Sequence, residues 1–355
     1  MSLWLATFIA AGIIFFLLKS RSNYTSLPKL PAVKDSLEPP DVTVIIPARN
    51  EEHTIANVVQ SFPGLRVVVV DDASEDDTPR VAAAAGAEVY KAPPLDPCVL
   101  GKPNACRAGA AVAASKWLLF VDADTTFAPW FATSIVSYAE RGQFDIVSAF
   151  LRQQTVTTWE KVILPYAFAL YFTGVSAARV NSPRSKESLA NGQCILFRRE
   201  SYIATGGHAA VARSVIEDVA LASFAKSRSL RLCVARAEHM GAVRMYDSFD
   251  AIRRGFEKNS FRFLNANPLT GIQVVVASIL LASYLPALIY LLISSYYVPA
   301  LIFALVPSVM LAPWYSDPTY TLTAPAAIYA FQAIAVSGML RTIGGMKTHW
   351  KGREV

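Results

Sequence analysis

The chain has 355 residues, room for one large domain or two ordinary ones with ample core. It is 53% apolar and only 17% charged, against about 25% charged for a soluble domain, which excludes a wholly water-exposed protein. The net charge of +6 is not accompanied by a basic, aromatic-interleaved motif, so the expected acidic partner is a membrane surface and no nucleic acid is expected.

The distribution of charge locates the membrane segments. No charged side chain occurs from Met1 to Leu18, and between Arg262 and Arg341 Asp317 stands alone. About 20 uncharged apolar residues cross a bilayer, so residues 1–19 read as an N-terminal transmembrane anchor and residues 266–341 as transmembrane helices. Lys19 and Arg21 follow the anchor and no basic residue precedes it. That order favours a retained anchor with its basic end inside over a cleaved signal peptide. Residues 20–40, rich in Ser and Pro, read as a linker.

The soluble domain is expected over 41–247. DVTVIIPARNEE reads as a strand, a polar loop and a helix from about His53 to Ser61. LRVVVVDDASEDDT repeats that plan, with a continuous apolar run suited to a parallel strand buried on both faces. Ser74 and Asp77 are expected to cap the helix that Gly86 stops. After the strand AEVY, a helix over Asn104–Ser115 leads to KWLLFVDADTTF, a buried strand ending in Asp122 and Asp124. Two residues apart on extended backbone, these carboxylates face the same side, where a hard divalent cation would relieve their repulsion. A solvated acidic turn is the alternative. Alternating strands and helices imply an α/β fold with a mostly parallel, doubly wound sheet. Ligands bind such sheets beyond the strands' carboxyl ends.

Four pieces in this order, VTVIIPARNEE, VVVVDDASEDDT, GKPNACRAGAA and LLFVDADTTF, resemble the nucleotide-sugar half of family 2 glycosyltransferases of the GT-A (Rossmann-like) fold. NGQCILFRRESYIATGG and VIEDVALASFAK resemble the acceptor half with its E-D motif. With an anchor before and apolar spans after, the resemblance is to the membrane-bound subgroup that glycosylates carotenoid-type, hopanoid-type and related lipids. The processive synthases' Q-x-x-R-W motif is missing; AVRMYDS has Arg244 and no Trp.

The resemblance implies a nucleotide-sugar donor, most simply UDP-linked, a lipid acceptor and a divalent cation, Mg²⁺ or Mn²⁺. By it Asp124 binds the metal, with Asp122 reaching the ribose or sugar and His239 a further ligand or a structural residue. Asp72, with Asp71, would read the base, one of the two serving only as a helix cap. Pro47, Ala48, Arg49 and Glu51 would form the loop beneath the nucleotide, Glu51 contacting ribose or merely starting a helix. Lys102, before a helix start, would face phosphate or be solvated. Asp218 would be the general base, Glu217 its orienting neighbour, and Gly192, Gln193 and Arg244 would line the acceptor side. Gly192, Gly206 and Gly207 read as turn formers that let backbone approach the sugar. A single displacement with inversion and no repeated addition is the expected reaction.

Val162–Ala178 carries no charge and reads as an interfacial segment or a domain helix. Residues 248–265, with Phe249, Ile252, Phe256 and Phe263 among Arg253, Arg254, Lys258 and Arg262, read as an amphipathic interfacial helix on an anionic leaflet. The spans Ile272–Ile293, Val298–Ala312 and Thr323–Leu340 follow, then a basic tail over 342–355. The expected location is the cell (inner) membrane, multi-pass, with the catalytic domain cytoplasmic. Cys98, Cys106, Cys194 and Cys233 lack zinc spacing and read as reduced thiols. D-A-D-T-T also matches the loop of haloacid-dehalogenase-type phosphatases, but two strand units precede it and no later G-D-x-x-x-D follows. An inactive glycosyltransferase-like scaffold would not need intact Asp122, Asp124 and Asp218. A polyprenyl-phosphate or polysaccharide-building enzyme of the same fold is the remaining alternative.

Overall fold

Runs of β-branched residues become the central strands of a computed structural model that describes residues 3–34, 38–96, 99–214, 216–266, 268–344, 349–350 and 353–354. The chain divides into two units. One comprises residues 3–26, 155–177 and 246–354, the other residues 27–154 and 178–245.

The second unit is built on a seven-stranded sheet. Its strands are β1 (Val42–Ala48), β2 (Arg66–Asp71), β3 (Glu88–Lys91), β4 (Trp117–Val121), β6 (Ile146–Phe150), β8 (Cys194–Arg198) and β9 (Leu232–Arg236), in the order β3-β2-β1-β4-β8-β6-β9. Strands β5 (Thr125–Phe127), β7 (Arg152–Gln153) and β10 (Gly241–Val243) make a smaller sheet in the order β5-β10-β7. β1 pairs in parallel with β2 and β4, and Ala48 lies opposite Asp71. The carboxyl ends of all three therefore meet at one edge. β8 runs antiparallel to β4, with Cys194 opposite Val121, so Gly192 and Gln193, just before β8, arrive at that same edge. Val44, Ile46, Val67, Val69, Trp117 and Leu119 are buried on one side of the sheet, joined by Ile55, Val58, Phe131 and Ile135 from helices. Burial of each aliphatic side chain contributes about 1.5–3 kcal/mol, so this platform is rigid by comparison with the loops it carries.

Local boundaries differ from expectation where capping and packing intervene. The helix after β1 is Ile55–Gln60, and the helix after β2 is Thr78–Ala84. Asp77 makes no side-chain cap there and pairs instead with Arg80 at 2.7 Å. The helix before β4 spans Gly101–Val112, three residues earlier than expected at each end. Pro103 fits its first turn, where no N–H is needed, and this puts Lys102 inside the helix. Leu27 and Leu30 are buried, and Leu30 N–H donates to Arg236 O at 2.8 Å. Residues 27–30 are thus seated on this unit, where the sequence suggested a loose tether.

In the first unit the N-terminal helix runs Leu3–Thr25, past Lys19. Ser20 Oγ donates to Ala169 O and Asn23 Nδ2 to Phe172 O, which ties its last turns to a helix over Thr158–Gly174. That helix starts with a capping box, Thr157 with Glu160. It buries Ile163, Tyr166, Ala169 and Phe172, so it is a packed element of this unit.

Four helices among the described residues are long and apolar enough to cross a membrane: Leu3–Thr25, Gly271–Ile293, Tyr297–Trp314 and Pro318–Arg341. Large apolar side chains on them face outward, including Trp4 at 83% and Ile293 at 79% exposure, as expected where lipid is the solvent. The helix Phe249–Ala266 departs from the expected bare basic face. Arg253 pairs with Asp250 and with buried Glu257, Arg254 pairs with Asp250, and Arg341 approaches Glu257 at 3.7 Å. The side chains of Lys258, Arg262 and Phe263, the residues Lys347 and Lys351, and Cys98 lie outside the described residues. Cys106, Cys194 and Cys233 are buried free thiols.

Candidate active site

The carboxyl edge of the sheet carries a small pocket lined by Pro47, Lys102, Phe120, Asp122, Gly192 and Asp218, with Cys106, Val121, Ile195, His208 and Glu217 completing it. Its centre is an ion cluster. Lys102 Nζ lies 2.7 Å from Asp122 Oδ1 and 3.1 Å from Glu217 Oε1. Burial opposes the charge on Lys102, but these two carboxylates outweigh it and hold the ammonium well above its usual range. Burial would raise Glu217, but the Lys102 charge and hydrogen bond together with a backbone N–H and the His208 ring more than offset it, so Glu217 stays below the ordinary carboxylate range. One lysine thus joins the end of β4 to the helix Glu217–Ser227.

Asp218, next along that helix, behaves differently. Burial first, and then the Glu217 charge, push its carboxyl up to about 6, against the weaker opposing pull of Lys102 and two backbone N–H groups. Those groups are Gly192 N–H, donating to Oδ2 at 2.7 Å, and Val219 N–H, donating to Oδ1 at 2.8 Å. A Cβ on Gly192 would lie 3.0 Å from Lys102 Nζ and 3.2 Å from Asp218 Oδ2, so glycine lets the loop sit between them. The loop is held by its own side chains: Asn191 N–H donates to Ser148 Oγ at 2.7 Å, Asn191 Nδ2 to Gln193 Oε1 at 2.9 Å, and Asp122 N–H to Gln193 O at 3.3 Å. A neighbouring acid pair of opposite protonation tendency is the arrangement from which base catalysis is built.

Asp124 follows in the turn between β4 and β5, and Arg244 N–H donates to its carbonyl at 3.3 Å. This contact brings Arg244 to the acidic turn. His239 is exposed, and the groups acting on it are Lys29, Glu238, Arg236 and the Leu30 backbone, not Asp122 or Asp124. Among the described residues no group of three His, Cys, Asp or Glu side chains is placed to hold a metal ion by itself. A cation here would take Asp124 and Asp122 and draw its remaining oxygens from ligand or water. That all-oxygen, two-carboxylate set fits Mg²⁺ or Mn²⁺ shared with a diphosphate.

The loops after β1 and β2 are tied chiefly to each other. Arg49 Nη1 donates to Asp72 O at 2.8 Å and Ala73 O at 2.6 Å, Glu51 N–H to Thr78 Oγ1 at 2.7 Å, and Glu52 N–H to Asp76 Oδ2 at 3.2 Å. Asp71, 6% exposed, accepts from Ser74 N–H at 3.3 Å, so its carboxylate supports the turn. Asp72 N–H donates to Ala48 O at 2.8 Å. Of the residues expected to hold a donor, Pro47, Lys102 and Asp122 line the pocket; Ala48, Arg49, Glu51, Asp71 and Asp72 belong to the neighbouring strand ends and loops and are not among its lining residues. The sequence reading missed His208 and Cys106, although the Gly-Gly-His order is a visible signal that the chain must come close to something there.

Residues 43–206 match the family model described as Glycosyl transferase family 2. Over 232 residues the chain is 33% identical to 4,4'-diaponeurosporenoate glycosyltransferase of Staphylococcus aureus (strain USA300), covering 61% of this chain and 60% of that protein. The protein of the same name from the bovine strain RF122 / ET3-1 is 32% identical over the same coverage. The match thus spans about three fifths of the length of these relatives. Mannosyltransferase PcManGT from Pyrobaculum calidifontis, solved in complex with GDP-Man and Mn²⁺, superposes with a TM-score of 0.55 at 16% identity, covering 95% of this chain and 97% of that one. At that identity the likeness shows the fold alone, which is the GT-A fold.

Proposed function

We propose, from the family 2 match at 43–206, that the protein moves a sugar from a nucleotide sugar, UDP-linked, to a hydroxyl of a lipid or polyprenoid-type acceptor, once per acceptor and with inversion. The observation that carries this reading is Asp218, a carboxyl raised to about 6 beside Gly192, in the pocket that Asp122 at the end of β4 also lines. Asp218 takes the acceptor proton, the acceptor oxygen attacks the anomeric carbon, and the carbon–oxygen bond to the diphosphate breaks with its electron pair on the leaving oxygen. A divalent cation held by Asp124 and Asp122 would neutralise the diphosphate charge. Lys102 adds a fixed positive charge on the donor side.

A lipid acceptor is supported by the four apolar helices and by the relatives named for 4,4'-diaponeurosporenoate. That name denotes a carboxylate, whose oxygen needs no base; the raised Asp218 favours a hydroxyl. Lys19 and Arg21, towards the carboxyl end of the first apolar helix, favour a cytoplasmic domain on the inner membrane.

Calorimetric titration with UDP is expected to show binding that needs Mn²⁺ or Mg²⁺ and that Asp124→Ala abolishes. NMR of the glycoside is expected to show the β anomer from an α-linked donor. Equal UDP affinity in chelator removes the cation from the reading, and a retained α anomer removes the single displacement.

A further inference from the structure

His208 is among the residues that line the pocket. His208 follows Gly206 and Gly207, whose φ angles are +76° and +50°. A Cβ on Gly207 would lie 2.2 Å from the Tyr202 ring, so glycine is needed for the ring beside it rather than for a sugar. The close approach seats His208, 4% exposed, against Tyr202, 6% exposed, with the Phe120 ring edge-on to the imidazole at 4.7 Å.

Two hydrogen bonds then decide where the imidazole proton sits. His208 N–H donates to Tyr202 Oη at 3.2 Å, and Tyr202 Oη lies 2.9 Å from His208 Nδ1. The phenolic proton has Nδ1 as its one acceptor among the described residues, so the hydroxyl donates and Nδ1 accepts. Burial holds the ring neutral, with its pKa pushed down to about 4, and a neutral ring with a bare Nδ1 carries its proton on Nε2. His208 is itself one of the residues that line the pocket, together with Lys102, Glu217 and Asp218. Those acids already have partners: Glu217 the Lys102 ammonium, Asp218 the N–H groups of Gly192 and Val219.

We propose that His208 Nε2–H is a fixed, neutral hydrogen-bond donor on the acceptor side of the pocket, which orients an oxygen of the incoming acceptor beside Asp218. The identity of that oxygen rests on the glycosyltransferase reading; the tautomer does not. A charged imidazolium at this place would pair with the acids and quench the base, whereas a neutral donor leaves Asp218 able to take a proton. A buried donor also selects against acceptors that offer no oxygen there, because the N–H would be left unmet.

The test uses the full chain in lipid nanodiscs, with UDP-glucose as donor and polyprenol as acceptor. His208→Leu, of similar bulk and without a donor, is expected to lower kcat/KM for the acceptor about 10- to 100-fold while UDP affinity holds. His208→Gln, which restores an N–H, is expected to recover much of the loss, and Tyr202→Phe to lose less than His208→Leu. Nitrogen NMR of histidine-labelled protein, with the His208 signal assigned by its loss in His208→Gln, is expected to show a protonated Nε2 and a bare Nδ1. A bare Nε2 overturns the donor whatever the enzyme makes, and this arm stands even if no sugar is transferred. The expected tautomer with an unchanged acceptor kcat/KM in His208→Leu overturns the orienting role. Parallel loss of UDP affinity in His208→Leu and His208→Gln also overturns it and assigns His208 to the fold.

Discussion

Two polar regions meet at the carboxyl edge of the sheet, and they are built on opposite principles. In the loops after β1 and β2, backbone N–H groups find side-chain acceptors across the gap: Glu51 with Thr78, Glu52 with Asp76, Asn50 with Ser74. Asp76 is held below the ordinary carboxylate range by the Thr78 hydroxyl and neighbouring N–H groups, which outweigh its burial. At the end of β4 a single ammonium is shared by two carboxylates while a third, Asp218, is pushed up to about 6. The first region is a braced pair of loops; the second is electrostatically loaded, and perturbed groups of that kind mark chemistry. The difference teaches that acidic residues at strand ends must be sorted by their partners before roles are assigned.

The comparison breaks most sharply at Asp218. Asp218→Asn is expected to lower kcat by about 10² to 10⁴ with UDP affinity kept, as read by steady-state kinetics and calorimetry. Because the folded carboxyl titrates above its unfolded value, the wild-type fold loses stability as pH rises from the unfolded pKa through about 6. The same variant is therefore expected to melt higher than wild type at pH 7. A normal turnover would remove the base from Asp218, and a lower melting temperature would show that the carboxylate is structural.

Lys102→Met should have the next largest effect, lowering kcat/KM about 10- to 100-fold by removing a charge-assisted partner. Wild-type activity needs Asp218 ionised, so kcat/KM is expected to rise through an acid limb near 6. Lys102 pulls that carboxyl down, so the limb should move to higher pH in Lys102→Met. An unmoved limb would separate Lys102 from Asp218.

The smallest effect on activity belongs to the braced loops. Thr78 is fully buried, accepts from Glu51 N–H at 2.7 Å and donates to Asp76 at 2.5 Å. Thr78→Val is expected to cost about 1–3 kcal/mol of stability, measured by thermal melting, with kcat within a few-fold of wild type. A collapse of kcat without a stability change would move this loop into the catalytic machinery.

The strand ends at Pro47, Asp71 and Asp122, the apolar spans and the E-D pair at the start of a helix could all be read from residue order. Continuous Val/Ile runs make buried parallel strands, and uncharged runs of about 20 residues make membrane-length helices, by local physics alone. Lys102 was visible as a cation near a helix start, yet its partners were not. Asp122 is 20 positions away at the end of β4, and Glu217 lies far along the chain, on a helix that follows β8, the strand antiparallel to β4.

What the sequence by itself determined is therefore the alternating α/β order, the acidic strand ends and the membrane-length helices, since each follows from patterns a few residues long. Only the tertiary structure decided which acid is paired, which is raised, that Asp71 braces a turn, and that the Gly-Gly-His bend presses His208 onto Tyr202. Charge state and tautomer depend on burial and on partners brought together across long loops, and no local pattern carries that information.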